Sequence, residues 1–217
     1  MNDTTVTTAG NTATAADSEA VTQLLLRERQ TRDRGWYDEM ADCFTPGATI
    51  TMSWFIGLAS EFIASTRART ANGVWGSHRL SPATVRIYGD RAWAELPLAI
   101  EFAIDIDGIP ADLVSYCRSQ YRAERTHSGW KIADITSIYE RDTITPAVPG
   151  KTLNFDPAAF TGFRPSYQCL AWYFKQQGAP LPDDLLGDDQ PHPVTKQYRR
   201  EQLWLRLGTG PATVEHT

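Results

Sequence analysis

The chain is poor in the residues that most often hold metals or build disulfides: its 217 residues include four histidines and three cysteines. Cys43, Cys117 and Cys169 are odd in number, far apart and outside any CxxC pattern, which argues against a disulfide framework and for reduced thiols in a cytoplasmic protein. His127, His192 and His216 fall in turn or tail sequence, leaving His78 alone on a strand pattern, and no metal site is expected. Glycine-rich nucleotide loops, HExxH and GxSxG are all missing, so no cofactor is expected either. No apolar run approaches the length that crosses a bilayer, and the first sixteen residues, rich in Thr and Ala, read as a frayed tail without a signal peptide. Positive charge is not in surplus: the formal net charge is −5, which disfavours nucleic acid as a partner. Arg27, Arg29 and Arg32 stand close together, but Glu28 and Asp33 are interleaved with them, and the cluster reads as a solvated helix face.

What is present is globular. Apolar residues make up 41% and aromatics 11%, with seven Trp, enough for one sizeable core and an appendage. Asp17 or Ser18 caps a helix that runs to about Asp33 with Val21, Leu24 and Leu25 inward, and Gly35 breaks it. A short helix from Trp36 stops at Pro46-Gly47. The period then changes to two, with Ile50, Met52 and Trp54 alternating with polar residues until Gly57. Residues 58–70 return to helix. Long strands follow at 78–88, 91–106, 115–126 and 130–141, separated by turn dipeptides. Helices followed by an antiparallel meander mean an α+β fold whose curved antiparallel sheet, closed by helices, encloses a pocket. Past Asp142 the prolines crowd. The expected organisation is a tail over 1–16, a domain over 17–148 and a Pro-rich helical extension over 149–217, with helices at 165–177 and 194–207 that need a docking surface on this domain or a neighbouring subunit.

Three stretches in this order resemble one family. "RDRGWYDEMADCFTPGATI" is similar to a first helix ending in Asp, a short helix and a turn into the first strand. "GSHRLSPATVRIYGDRAWAEL" is similar to a His-bearing strand and its hairpin, and "YRAERTHSGWKI" to a Tyr-bearing strand leading into the last one. Together they resemble the SnoaL-like branch of the NTF2-like superfamily over Asp17 to about Asp142, and the resemblance implies a cone-shaped fold around a pocket. The branch that includes scytalone dehydratase and hexachlorocyclohexane dehydrochlorinase sets an Asp at the end of the first helix beside a pocket His, which maps onto Asp33 and His78. A carboxylate on one imidazole nitrogen fixes the tautomer and raises the basicity of the other. The implied activity is a cofactor-independent lyase or isomerase, a dehydratase or a related elimination, acting on a small hydrophobic molecule of polyketide or aromatic type. An aldol-type polyketide cyclase, an epoxide hydrolase and a non-catalytic binding or interaction module are the alternatives, and a homodimer or homotrimer is expected. Helix-end solvation for Asp33 and a structural role for His78 are the plain readings that compete with catalysis.

Several other residues are candidates for substrate contact. Tyr116, Arg118, Gln120 and Arg122 form a polar stripe that lines either the pocket or the solvent; Cys117, Ser119, Tyr121 and Ala123 are the alternative inward set. An inward Arg118 would stabilise a developing enolate. Asp134 alternates with Trp130, Ile132 and Ile138, which predicts a carboxylate in apolar surroundings. With Arg118 it supplies two parts of the Asp-Arg-Asp set of limonene-epoxide-hydrolase-like proteins. Glu28 shares a helix face with Val21 and Leu25 and reaches either the pocket mouth or Arg32. Trp54, Phe55 and Trp75 are candidates for an apolar substrate wall, with core packing as the default for each.

Overall fold

A computed structural model describes residues 14–207, apart from 72, 74 and 75. Trp75 therefore lies outside the described residues. The first helix, α1 (Ala15–Arg34), begins earlier than either expected cap, because Thr14 is the cap and Asp17 is the third helical residue. Asp17 N–H donates to Thr14 Oγ1 at 3.1 Å while Thr14 N–H donates to the Asp17 carboxylate at 3.3 Å. This reciprocal box satisfies two otherwise orphaned donors. Gly35 ends the helix in the left-handed region, at φ 72°, where a side chain would be strained.

The chain continues through α2 (Tyr37–Ala41), β1 (Phe44–Met52), β2 (Phe55–Leu58) and α3 (Ala59–Ala71). Then come β3 (Ser77–Leu80), β4 (Thr84–Tyr88), β5 (Arg91–Ile106), β6 (Ile109–Thr126) and β7 (Gly129–Pro146). The expected strand over 78–88 is thus two strands, both paired with β5. They part at Ser81–Ala83, opposite Pro97, which has no N–H to give a sheet and whose carbonyl accepts from Ser81 N–H at 2.9 Å.

The sheet runs β2-β1-β7-β6-β5-β3. It is mixed rather than wholly antiparallel: β1 enters from the helical hairpin and lies parallel to β7, with Ile50 opposite Ile135. On β6 the odd residues from Ala111 to Ala123 are all buried, and this is the inward face. Register breaks against β6 place one extra residue in β7 at Ala133 and another at Glu140. Such bulges bend and twist long strands, and each one also exchanges the faces of the residues beyond it. Trp130 and Ile132 face inward with Ala123, but after Ala133 the inward set becomes Ile135, Ser137 and Tyr139.

The last third of the chain packs on both faces of this sheet. Helix α4 (Gln168–Gln176) lies against β6 and β7 and buries Cys169, Leu170, Ala171 and Phe174. Its first turn has no cap of its own. The Asp142 carboxylate of β7 accepts from Leu170 N–H at 2.7 Å instead. Helix α5 (Pro191–Leu207) covers the outward face: Glu201 takes Arg122 in a two-pronged pair at 2.7 and 2.9 Å, and Gln197 donates to Gln120 at 3.2 Å. Arg118, Gln120 and Arg122 of the polar stripe on β6 therefore face neither the pocket nor solvent but α5 and the residues just before it, while Tyr116 lies under Arg141.

Candidate functional site

Helix α1 sets the site through one continuous stripe. Val21 and Leu25 are fully buried, and helical spacing carries the same face onward to Glu28, Arg29 and Arg32 as the helix runs out over the cavity. The reading of Arg29 and Arg32 as solvated is thereby overturned: Arg29 is 3% exposed and Arg32 13%. Glu28 is completely buried and pairs with Arg29 through both prongs of the guanidinium, not with Arg32. Burial opposes the charge on Arg29, but the Glu28 carboxylate outweighs it and holds the guanidinium well above its ordinary range.

One turn later Asp33 meets β3, the edge strand beside β5. Its Oδ1 lies 2.7 Å from His78 Nδ1, and its Oδ2 accepts the His78 backbone N–H at 2.8 Å. The edge strand's outward N–H thus finds a partner, and the carboxylate is held by both the backbone and the ring of His78. Burial alone would raise the Asp33 carboxyl; the His78 ring, the His78 backbone N–H and the Arg32 charge together hold it below its ordinary value. Because an ionised carboxylate only accepts, Nδ1 must carry the proton, and Nε2 is the unprotonated nitrogen. The imidazole is 3% exposed. Burial first, then the neighbouring Arg32 charge, push its pKa down to about 3 against the pull of Asp33, which favours the neutral ring. Arg32 Nη1 stands 3.4 Å from Nδ1 and 3.3 Å from Asp33, and burial and Arg29 lower its pKa to about 10.

His78 faces an enclosed cavity of about 40 Å³, room for a few water molecules. Its polar wall is made by Arg29, Arg32, Arg69, Ser119, Ser137 and Tyr139, and its apolar wall by Met52, Trp54, Ile100, Phe102, Leu170 and Phe174. Ser119 and Ser137 share a hydrogen bond of 3.1 Å. The Tyr139 oxygen accepts from Ser53 N–H at 2.8 Å, and burial raises the phenol's pKa, so it stays protonated with its hydrogen available to donate. Phe102 and Phe174, edge to face at 6.2 Å, separate the cavity from a wider outer groove of about 600 Å³ that they and Arg69 also line.

Of the residues singled out in the sequence, the structure brings His78, Trp54 and Ser119 of the alternative inward set to the cavity wall, with Asp33 against His78. It does not bring Phe55, Arg118 or Asp134. Phe55 stacks on Trp54 and Phe62, with ring centroids 5.8 and 5.3 Å away. Arg118 lies on the outward face, where it pairs with Asp188 at 2.7 Å and Glu140 at 3.0 Å and donates to Tyr198. Asp134 is opposite Arg122 on that same face and accepts from Thr49 at 2.6 Å, because the Ala133 bulge reverses the alternation read from the sequence. Burial does raise its carboxyl pKa, as predicted. With both on the far side of the sheet, the Asp-Arg-Asp arrangement has no counterpart in this cavity.

A SnoaL-like domain model matches residues 13–136, more than half of the chain. This chain belongs to the SnoaL-like family. Its curved sheet closed by helices is the NTF2-like arrangement that the resemblance implies. Relatives match well beyond that span: a PEP2-like protein of Fusarium vanettenii is 26% identical over 185 residues, covering 80% of this chain and 79% of its own. An uncharacterized protein of Emericella nidulans is 29% identical over 186 residues, 81% of this chain and 77% of its own. Among solved structures, a type 2 hexachlorocyclohexane dehydrochlorinase superposes with a TM-score of 0.51 at 13% identity, over 65% of this chain and 94% of that one; at that identity the likeness concerns the fold. Among the cavity residues unrecognised in the sequence are Arg29, Arg32, Arg69, Tyr139 and Phe174. For the first two the signal was there, since Glu28 and Arg32 continue the spacing of Val21 and Leu25. The others depend on the bulges in β7 and on where α3 and α4 dock.

Proposed function

We propose that this SnoaL-like chain is a cofactor-independent lyase or isomerase, a dehydratase or related elimination catalyst, with His78 as the base and Asp33 as the group that orients it. The observation that carries the reading is the 2.7 Å contact between Asp33 Oδ1 and His78 Nδ1 at the wall of an enclosed cavity. In this reading Nε2 removes a proton next to an electron-withdrawing group. Tyr139, Arg32 and the Ser119–Ser137 pair supply donors for the negative charge that develops. The acid that assists the leaving group is then the imidazolium formed in the first step or the Tyr139 hydroxyl. Trp54, Phe102 and Phe174 give the apolar contact that holds a small ring or short chain in place. Proton transfer by a positioned side chain contributes about 10²–10⁴-fold in rate. His78→Ala and Asp33→Asn should therefore each cost at least about two orders of magnitude in kcat while the circular dichroism spectrum and cooperative melt persist. Full turnover by either folded variant on a substrate of the wild type would remove the dyad.

A further inference from the structure

The charges around the cavity do not cancel. Arg29, Arg32 and Arg69 line it, and only Glu28 and Asp33 answer them. Three guanidinium groups against two carboxylates, with His78 neutral, leave one positive charge over. That charge is best assigned to Arg69. Among the described residues no carboxylate lies within ion-pair distance of Arg69; its guanidinium instead lies over the rings of Trp54 at 4.5 Å and Phe174 at 5.4 Å. Two further donors on the same wall are unanswered: Arg32 Nε and Thr66 Oγ1 are buried without a hydrogen-bond partner. Polar groups left unpaired are costly, most for the buried Arg32 Nε and Thr66 Oγ1 and less for the partly buried Arg69. A ligand that supplies oxygen acceptors and a single negative charge removes these costs together.

We infer that the pocket takes a small monocarboxylate, its carboxylate bridging toward Arg69 and the free edge of Arg32 while an apolar body lies against Trp54, Phe102 and Phe174. This deepens the reading of the cavity as an acid-base site and rests on it for the identity of the occupant as substrate. A carboxylate fits better than a phosphate because one charge balances the surplus and a dianion overshoots it; its planar pair of oxygens also matches the guanidinium fork. Selection for the anion is made at Arg69 itself. The outer groove is lined by Glu101 and Asp112, Glu101 being held by Arg79 at 3.1 Å, so the groove does not draw anions in from a distance.

Calorimetric titration at constant ionic strength tests this with benzoate and its neutral isostere benzamide, on the full chain and on Arg69→Gln. Benzoate should bind about ten-fold or more tightly than benzamide, as expected for a charge-assisted hydrogen bond. Arg69→Gln should abolish that preference by weakening benzoate about ten-fold more than benzamide while the chain still melts cooperatively. The preference should persist in His78→Ala, so an inactive dyad and an absent carboxylate site give different results. Equal affinity for the two probes, no benzoate binding at millimolar concentration, displacement of benzoate by equimolar chloride, or an undiminished benzoate preference in folded Arg69→Gln would each overturn the proposal.

Discussion

His78 is held between two neighbours that act on it in opposite senses. Asp33 favours the charged ring, whereas burial and Arg32 favour the neutral one, and the second pair prevails. An imidazole that is unprotonated at neutral pH would serve the proposed proton abstraction without prior deprotonation, with its Nδ1 proton held by an acceptor that cannot donate. The same balance appears in stability. The unfolded chain takes up a proton near pH 6.5, and the folded site refuses it until far lower pH. The stability this residue contributes is thus fully present above pH 6.5 and is lost as pH falls toward 3. Between pH 7 and 5, urea denaturation of the wild type should weaken with falling pH more steeply than that of His78→Gln, by up to about 1.4 kcal/mol per pH unit. The window stops at pH 5 because Asp33, itself held low, adds its own loss in the carboxylate range. Equal slopes in the two proteins would mean that His78 titrates as freely folded as unfolded. The buried Glu28–Arg29 pair belongs to this scale too: each charge is tolerable only in the other's presence, and together they bring a guanidinium to the cavity wall.

At the scale of elements, α4 is the wall that the SnoaL-like segment does not itself provide. Its N-terminus is seated by Asp142 through Leu170 N–H, and two residues of that helix, Leu170 and Phe174, reach the cavity. Asp142→Ala removes this cap. It should lower stability by about 1 kcal/mol and loosen the Phe102–Phe174 closure, raising KM more than it lowers kcat and increasing amide exchange in 168–176. Unchanged exchange in that segment would mean that packing alone seats the helix. Elements are also where sequence and structure part. The helical stripe of α1 was readable through Leu25 and remained so through Arg32, yet charge interleaving disguised its polar end. Alternation along β7 was readable up to Ala133. There a single extra residue, with no glycine or proline to announce it, sent Asp134 to the outward face and brought Ser137 and Tyr139 inward. Long-range pairing, not local propensity, decides where such a bulge falls.

For the whole molecule, helices followed by long strands around a pocket were legible because periodicity and turn residues are local signals, whereas β2 and the break between β3 and β4 were not. The parallel β1–β7 pairing was not, since it joins residues more than eighty positions apart, as in Thr49 with Asp134. Nor was the destination of the last third. The sequence shows that Tyr198, Trp204 and their neighbours need a surface, but the match between the β6 stripe and α5 becomes visible only when Arg122 and Glu201 are seen face to face. The net effect is a cavity whose histidine comes from an edge strand, two of whose arginines, with the carboxylate that holds that histidine, come from the first helix, and one of whose aromatics comes from the last third of the chain. The proposed chemistry turns on the protonation state of His78. Long-range ¹⁵N-resolved NMR of the His78 ring reads it directly at pH 5.5, where a free imidazole is mostly charged. A neutral ring protonated on Nδ1, changing when Asp33 is replaced by Asn, is the predicted result; an imidazolium, or a neutral ring protonated on Nε2, would contradict it.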